Sequence, residues 1–269
     1  MIQPSKLISK LTKELEDNPL VVGFVLVGSQ AREDAYLASK YSDLEAYIIV
    51  SDGSIKKVES QLAGIVNKLG KVIFSYKNRW AGFSTVFEDL FRLELPIVDE
   101  SNIANVFSRP KAQTVEVLID KTNGKLQKAL DNRPETLDFQ SIFQFQVTDF
   151  WYMAIVATQY WKKGEFYNAR SALSIITSSL IVLFELLNEP SILLLETNKR
   201  IEKFLTSKQI KTFEQITAAY DRNGIKLALK SILDIFSKTS EQVSKKYGYT
   251  YLENVEHEIK PKLTDLLDK

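Results

Sequence analysis

The chain has 269 residues, 45% of them hydrophobic, with 35 Lys plus Arg against 34 Asp plus Glu, a net charge of +1 and no cysteine. That length suffices for one large or two medium domains, and the near-neutral balance demands neither a nucleic-acid nor an acidic-membrane partner. Without cysteine, disulfides, zinc thiolate sites and a cysteine nucleophile are excluded.

The opening segment, MIQPSKLISKLTKELED, alternates charged and apolar residues and lacks the unbroken apolar run of a signal peptide. A cytoplasmic protein is expected. Leu7, Leu11 and Leu15 recur at helical spacing and predict an amphipathic helix over residues 5–16, which Asp17-Asn18-Pro19 ends. Residues 20–27 and 43–50 are short, almost continuous apolar runs, the pattern of strands buried on both faces. A polar insert separates them. Ser54 is in place to cap a helix over residues 55–69, and Gly70 to close it.

Further strands are predicted over residues 71–76, 80–87, 91–98 and 115–120, then a helix over 121–130. Asn132-Arg133-Pro134 marks a boundary. Beyond it nearly everything has helical period: 141–163, 166–187, 191–205, 208–220, 225–245 and 252–267. The most apolar part, residues 175–187, carries Thr177, Ser178, Ser179 and Glu185 and reads as a buried helix too short to span a bilayer. The expected fold class is therefore α+β. A mixed sheet with flanking helices fills residues 1–133, and a helical bundle fills 134–269.

Four residues carry the chemistry. Gly28 and Ser29 end the first apolar run; Asp43 and Glu45 open the second. Residues two apart in a strand share a face, so Asp43 and Glu45 project together. Two carboxylates so close repel unless a cation lies between them, and hard oxygen ligands favour Mg²⁺ or Mn²⁺. A glycine at a strand end lets backbone N–H groups approach a phosphate, and a short helix over residues 31–38 would add its N-terminal dipole. Taken singly, Gly28-Ser29 is an ordinary turn, Asp43 a cap and Glu45 a solvated edge residue. Their conjunction points to a metal–nucleotide site. Arg32 and Lys40, in the insert, are either solvated surface or neutralise the phosphates.

Gly28-Ser29, thirteen intervening residues and then Asp43-Leu44-Glu45 resemble the signature of the polymerase-β-like nucleotidyltransferases. Within that superfamily the chain is similar to the antibiotic nucleotidyltransferases, most closely to the two-domain lincosamide enzymes. The resemblance implies ATP or another NTP as co-substrate, with Gly28, Ser29, Arg32 and Lys40 holding it. It implies a divalent metal on Asp43 and Glu45. It also implies a third carboxylate on a later strand, as metal ligand or general base; Glu94, beyond Phe91-Arg92-Leu93, matches it. An Arg–Glu pair on an exposed strand face is the plainer reading of Arg92 and Glu94.

By the same resemblance the helical half binds the acceptor hydroxyl compound and supports a homodimer. The acceptor would be a lincosamide, with an aminoglycoside or a non-catalytic binding role as alternatives. No nucleic-acid or membrane partner is expected. The junction from Tyr160-Trp161 through Glu165 to Arg170 is the candidate acceptor wall, and Asp138, Asp149 and Glu165 are carboxylates available to a cationic acceptor. Aromatics at helical spacing, including Trp151, Tyr152, Tyr160 and Trp161, are otherwise core. The single histidine, His257, lies in a polar helix and reads as idle.

Overall fold

A computed structural model of the chain describes residues 3–31, 41–77, 82–111, 113–194, 201–217, 220–251 and 253–269. The chain divides into two compact units, Met1–Thr136 and Leu137–Lys269.

The first unit is a six-stranded mixed sheet with helices against it. Helix α1 (Pro4–Glu16) buries Leu7, Leu11 and Leu15, one per turn. Strand β1 (Val21–Val27) follows a turn in which the Leu20 N–H donates to Asn18 Oδ1. Strand β2 is Leu44–Val50, helix α2 Ile55–Leu69, and strands β3, β4 and β5 are Val72–Lys77, Gly82–Phe87 and Arg92–Asp99. A short helix, α3 (Ile103–Val106), precedes strand β6 (Val115–Asp120) and helix α4 (Lys125–Asp131). The sheet order is β3-β4-β5-β2-β1-β6. Among the described strands β2 and β5 pair in parallel; β1–β2, β1–β6, β3–β4 and β4–β5 are antiparallel.

Both faces of the central strands are covered, which is why their sequences are apolar almost throughout. On one face Leu44, Ala46 and Ile48 pack with Leu11, Leu15, Val58 and Leu62 from α1 and α2. On the other, Val25 and Ile49 pack with Ile103, Phe107, Leu126 and Leu130. Gly23 faces Ile49 closely: a Cβ there would lie 2.8 Å from Ile49 Cδ1.

One local expectation gives way. Ser54 makes no side-chain cap bond; its φ of −95° and ψ of −3° are not the extended geometry that aims an N-cap hydroxyl at the helix. Gly70 ends the helix as expected, but with φ of 175° it leads the chain out extended toward β3, not through a left-handed turn. Helix α3 went unread because four residues are too few for a period.

The second unit is all helical: α5 (Phe139–Lys162), α6 (Phe166–Asn188), α7 (Ile201–Phe204), α8 (Ser207–Ile216), α9 (Arg222–Tyr247) and α10 (Glu253–Asp268). Its core stacks Phe150 on Phe236 at 3.5 Å between ring centroids, with Trp151 edge-on to Phe150 at 5.2 Å. Helix α6 is the one described helix long and apolar enough to cross a membrane, and 56% of its most apolar window is buried within the fold. Such burial is the mark of a core helix. Gly164, with φ of +77°, makes the turn between α5 and α6.

Candidate active site

Three neighbouring strands bring the sequence-predicted residues to one end of the sheet. Strand β1 runs antiparallel to β2, so its C-terminal Val27 lies beside Glu45. Strand β5 runs parallel to β2, so Leu44 pairs with Leu93 and Glu45 with Glu94. Gly28-Ser29, Asp43, Glu45 and Glu94 thus emerge from adjacent strand ends, although 49 positions separate Asp43 from Arg92. Leu44 and Leu93 alternate inward and are fully buried. Pointing them into the core turns the carboxylates out of it.

Gly28 begins a 3-10 turn, Gly28–Gln30, where the Ala31 N–H donates to the Gly28 carbonyl. Its φ is +70°, and an added Cβ would meet nothing within 4 Å. The position needs glycine for its backbone angle, not for room. Residues 32–38 of the helix expected over 31–38, with Arg32 and Lys40, lie outside the described residues.

The carboxylates are not bare. Arg92 Nη2 donates to Asp43 Oδ2 at 2.7 Å, and Arg92 Nη1 stands 3.8 Å from Glu94 Oε1. The guanidinium therefore bridges Asp43 and Glu94. Among the described residues no group of three or more His, Cys, Asp or Glu that could hold a metal ion is found; Arg92 lies between Asp43 and Glu94 instead. The donor set itself, three carboxylates with no nitrogen or sulfur ligand, fits a hard divalent cation. Two carboxylates in register on paired strands, Glu45 and Glu94, also call for a positive charge.

Tyr47 and Arg109 belong to the same neighbourhood, and the sequence did not single them out. Tyr47 lies two residues beyond Glu45 and meets Phe107 edge-on at 5.6 Å. Burial pushes its phenol above the usual value and the Glu45 carboxylate adds to that, while Arg109 opposes it. The one sequence signal was period: Glu45 and Tyr47 share a strand face.

The far end of the same two strands is tied off. The Gly53 N–H donates to Asp99 Oδ1 and the Ser101 N–H to Asp52 Oδ1, both at 2.9 Å.

In the helical unit, Trp161 of the expected acceptor wall is buried, at 2% exposure, as is Trp151, read from the sequence as core, at 1%. Trp161 Nε1 donates to the Arg222 carbonyl at 2.7 Å, and the Arg222 guanidinium lies 4.6 Å from its ring. Asp138 is a helix cap that accepts from the Ser141 N–H at 3.0 Å. Tyr152, Tyr167 and, from α5, Phe145 are exposed.

The sequence of the whole chain decides its family. The family described as Streptomycin adenylyltransferase matches residues 5–265. The chain belongs to that family. It is accordingly a nucleotidyltransferase of the antibiotic adenylyltransferase kind. No curated protein matches it by sequence. Among solved structures, it is similar to an aminoglycoside 6-adenyltransferase from Bacillus subtilis, at 14% identity over all of both chains with a TM-score of 0.45. It is also similar to spectinomycin adenyltransferase AAD(9) from Enterococcus faecialis, determined with ATP and spectinomycin. That match has 12% identity over 99% of this chain and 98% of that one, with a TM-score of 0.31.

Proposed function

We propose that this adenylyltransferase-family chain transfers AMP from ATP to a hydroxyl of an aminoglycoside-type antibiotic. The observation that carries the reading is the meeting of Gly28-Ser29, Asp43, Glu45 and Glu94 at one end of three adjacent strands. The backbone and hydroxyl of Gly28-Ser29 would hold phosphate oxygens. Asp43, Glu45 and Glu94 would hold Mg²⁺ or Mn²⁺, which when bound neutralises phosphate charge. Glu94 would also accept the proton of the acceptor hydroxyl as its oxygen attacks the α-phosphorus and pyrophosphate leaves. Positioning and charge neutralisation supply most of the acceleration in such transfers.

The family description favours the aminoglycoside reading over the lincosamide one. The helical unit offers a matching surface: Phe145, Asp149 and Tyr152 lie four and three residues apart on α5, hence on one face. Phe145 and Tyr152 are each 64% exposed. An aromatic–carboxylate–aromatic stripe suits a polycationic sugar, whose ammonium groups seek Asp149 while its ring faces lie on the aromatics.

The test is incubation with ATP labelled at the α- or the γ-phosphate, Mg²⁺, and streptomycin, spectinomycin or lincomycin. Label transferred from the α-position to streptomycin or spectinomycin supports the proposal. Transfer from the γ-position, or to lincomycin alone, contradicts it.

A further inference from the structure

Arg92 takes no part in the transfer as derived above, yet it bridges two of the carboxylates, Asp43 and Glu94. It lies two residues before Glu94 on β5 and shares its face. Its guanidinium reaches Asp43 Oδ2 at 2.7 Å and stands 3.8 Å from Glu94 Oε1. On the paired strand Glu45 is in register with Glu94. Without a cation, these like charges on neighbouring strands would repel.

We propose that Arg92 is a built-in counter-cation of this cluster, holding Asp43 in the nucleotide-free protein and yielding it when a divalent ion arrives with the nucleotide. This inference rests on the reading of Asp43, Glu45 and Glu94 as a metal site. Two features suit Arg92 to the role. Its side chain is 54% exposed and that of Asp43 37%, so the pair is solvent-screened and weakly held. The guanidinium is a planar fork of five donors on a flexible stem. Once released from Asp43, it can stay near Glu94 or turn to a phosphate oxygen, with which it pairs well. The competition has a consequence: the free protein should bind metal poorly, and a nucleotide that brings its own ion and phosphate acceptors should overcome the competition.

The test is Mn²⁺ binding, followed by electron paramagnetic resonance, to the full chain without nucleotide and then with a non-hydrolysable ATP analogue. Wild type, Arg92→Gln and Arg92→Lys are compared. In the nucleotide-free state Arg92→Gln should bind Mn²⁺ at least about fivefold more tightly than wild type, with Arg92→Lys between them. Metal-free Arg92→Gln should also melt at a lower temperature than wild type and recover when Mn²⁺ is added. Arg92→Met, which keeps part of the stem and removes the charge, provides the same contrast if the Gln variant does not fold. Equal or weaker Mn²⁺ binding by the uncharged variant, in proteins that all bind Mn²⁺ with the analogue, overturns the counter-cation role while leaving the metal site standing. Failure of every protein to bind Mn²⁺, even with the analogue, overturns both.

Discussion

At the residue scale the proposed roles of charge, proton and acceptor binding each predict a different kinetic signature. Glu94, beside Glu45 across the β2–β5 pair, is the proposed base. Glu94→Gln should lower kcat by about two to four orders of magnitude, the range for loss of a positioned general base, while an ATP analogue still binds. Loss of analogue binding would recast Glu94 as a metal ligand alone. Asp149 is proposed to meet the acceptor, not the nucleotide. Asp149→Asn should therefore raise KM for streptomycin or spectinomycin, about tenfold for one lost partially exposed charge pair, with KM for ATP unchanged. Steady-state kinetics with each substrate varied in turn checks this, and a shift in the ATP constant instead would remove Asp149 from the acceptor surface.

At the element scale, the ends of β1, β2 and β5 matter more than their middles. The near ends carry Gly28, Asp43, Glu45 and Glu94; the far ends of β2 and β5 are closed by the Gly53–Asp99 and Ser101–Asp52 bonds. Much of this was legible in sequence because strand period is strict: the runs opening at Leu44 and Leu93 had to bury their leucines and so turn out their acids. Pairing was not legible. Nothing local states that β5 lies parallel to β2, so that Arg92 reaches Asp43 across 49 positions. For the same reason Arg92 read as one half of a plain surface pair. In the helices, Trp161 read as either core or wall; its hydrogen bond to the Arg222 carbonyl, 61 positions away, was not legible locally.

Helix ends also set an acid response. Hydrogen bonds from Ser141 hold the Asp138 carboxyl below its ordinary value. A carboxylate depressed in the folded state adds stability above its unfolded pKa and loses it as pH falls through the folded value. Asp138→Asn keeps a capping acceptor but cannot titrate. Its thermal midpoint should match wild type near neutrality and fall less on acidification. Parallel pH melts of the two proteins would reveal an equal acid loss if the cap did not contribute.

At the scale of the whole molecule, the family match over residues 5–265 spans both compact units. Each unit has its own core. In the helical one the Phe150–Phe236 stack at 3.5 Å is central, and Phe236→Ala should cost about 3–5 kcal/mol, read by urea unfolding of the full chain. A loss below about 1 kcal/mol would mean the helices repack around the gap.

Asp43, Glu45 and Glu94 are proposed to form the centre of AMP transfer to an antibiotic hydroxyl. The decisive measurement is acceptor-dependent release of pyrophosphate from ATP by wild type and Asp43→Asn, with streptomycin and spectinomycin. Wild type should release pyrophosphate with at least one of them, and Asp43→Asn should lose about a hundredfold or more, as when a group stabilising transition-state charge is removed, with its melting temperature nearly unchanged. Wild-type turnover by a folded Asp43→Asn protein would remove Asp43 from the reaction centre.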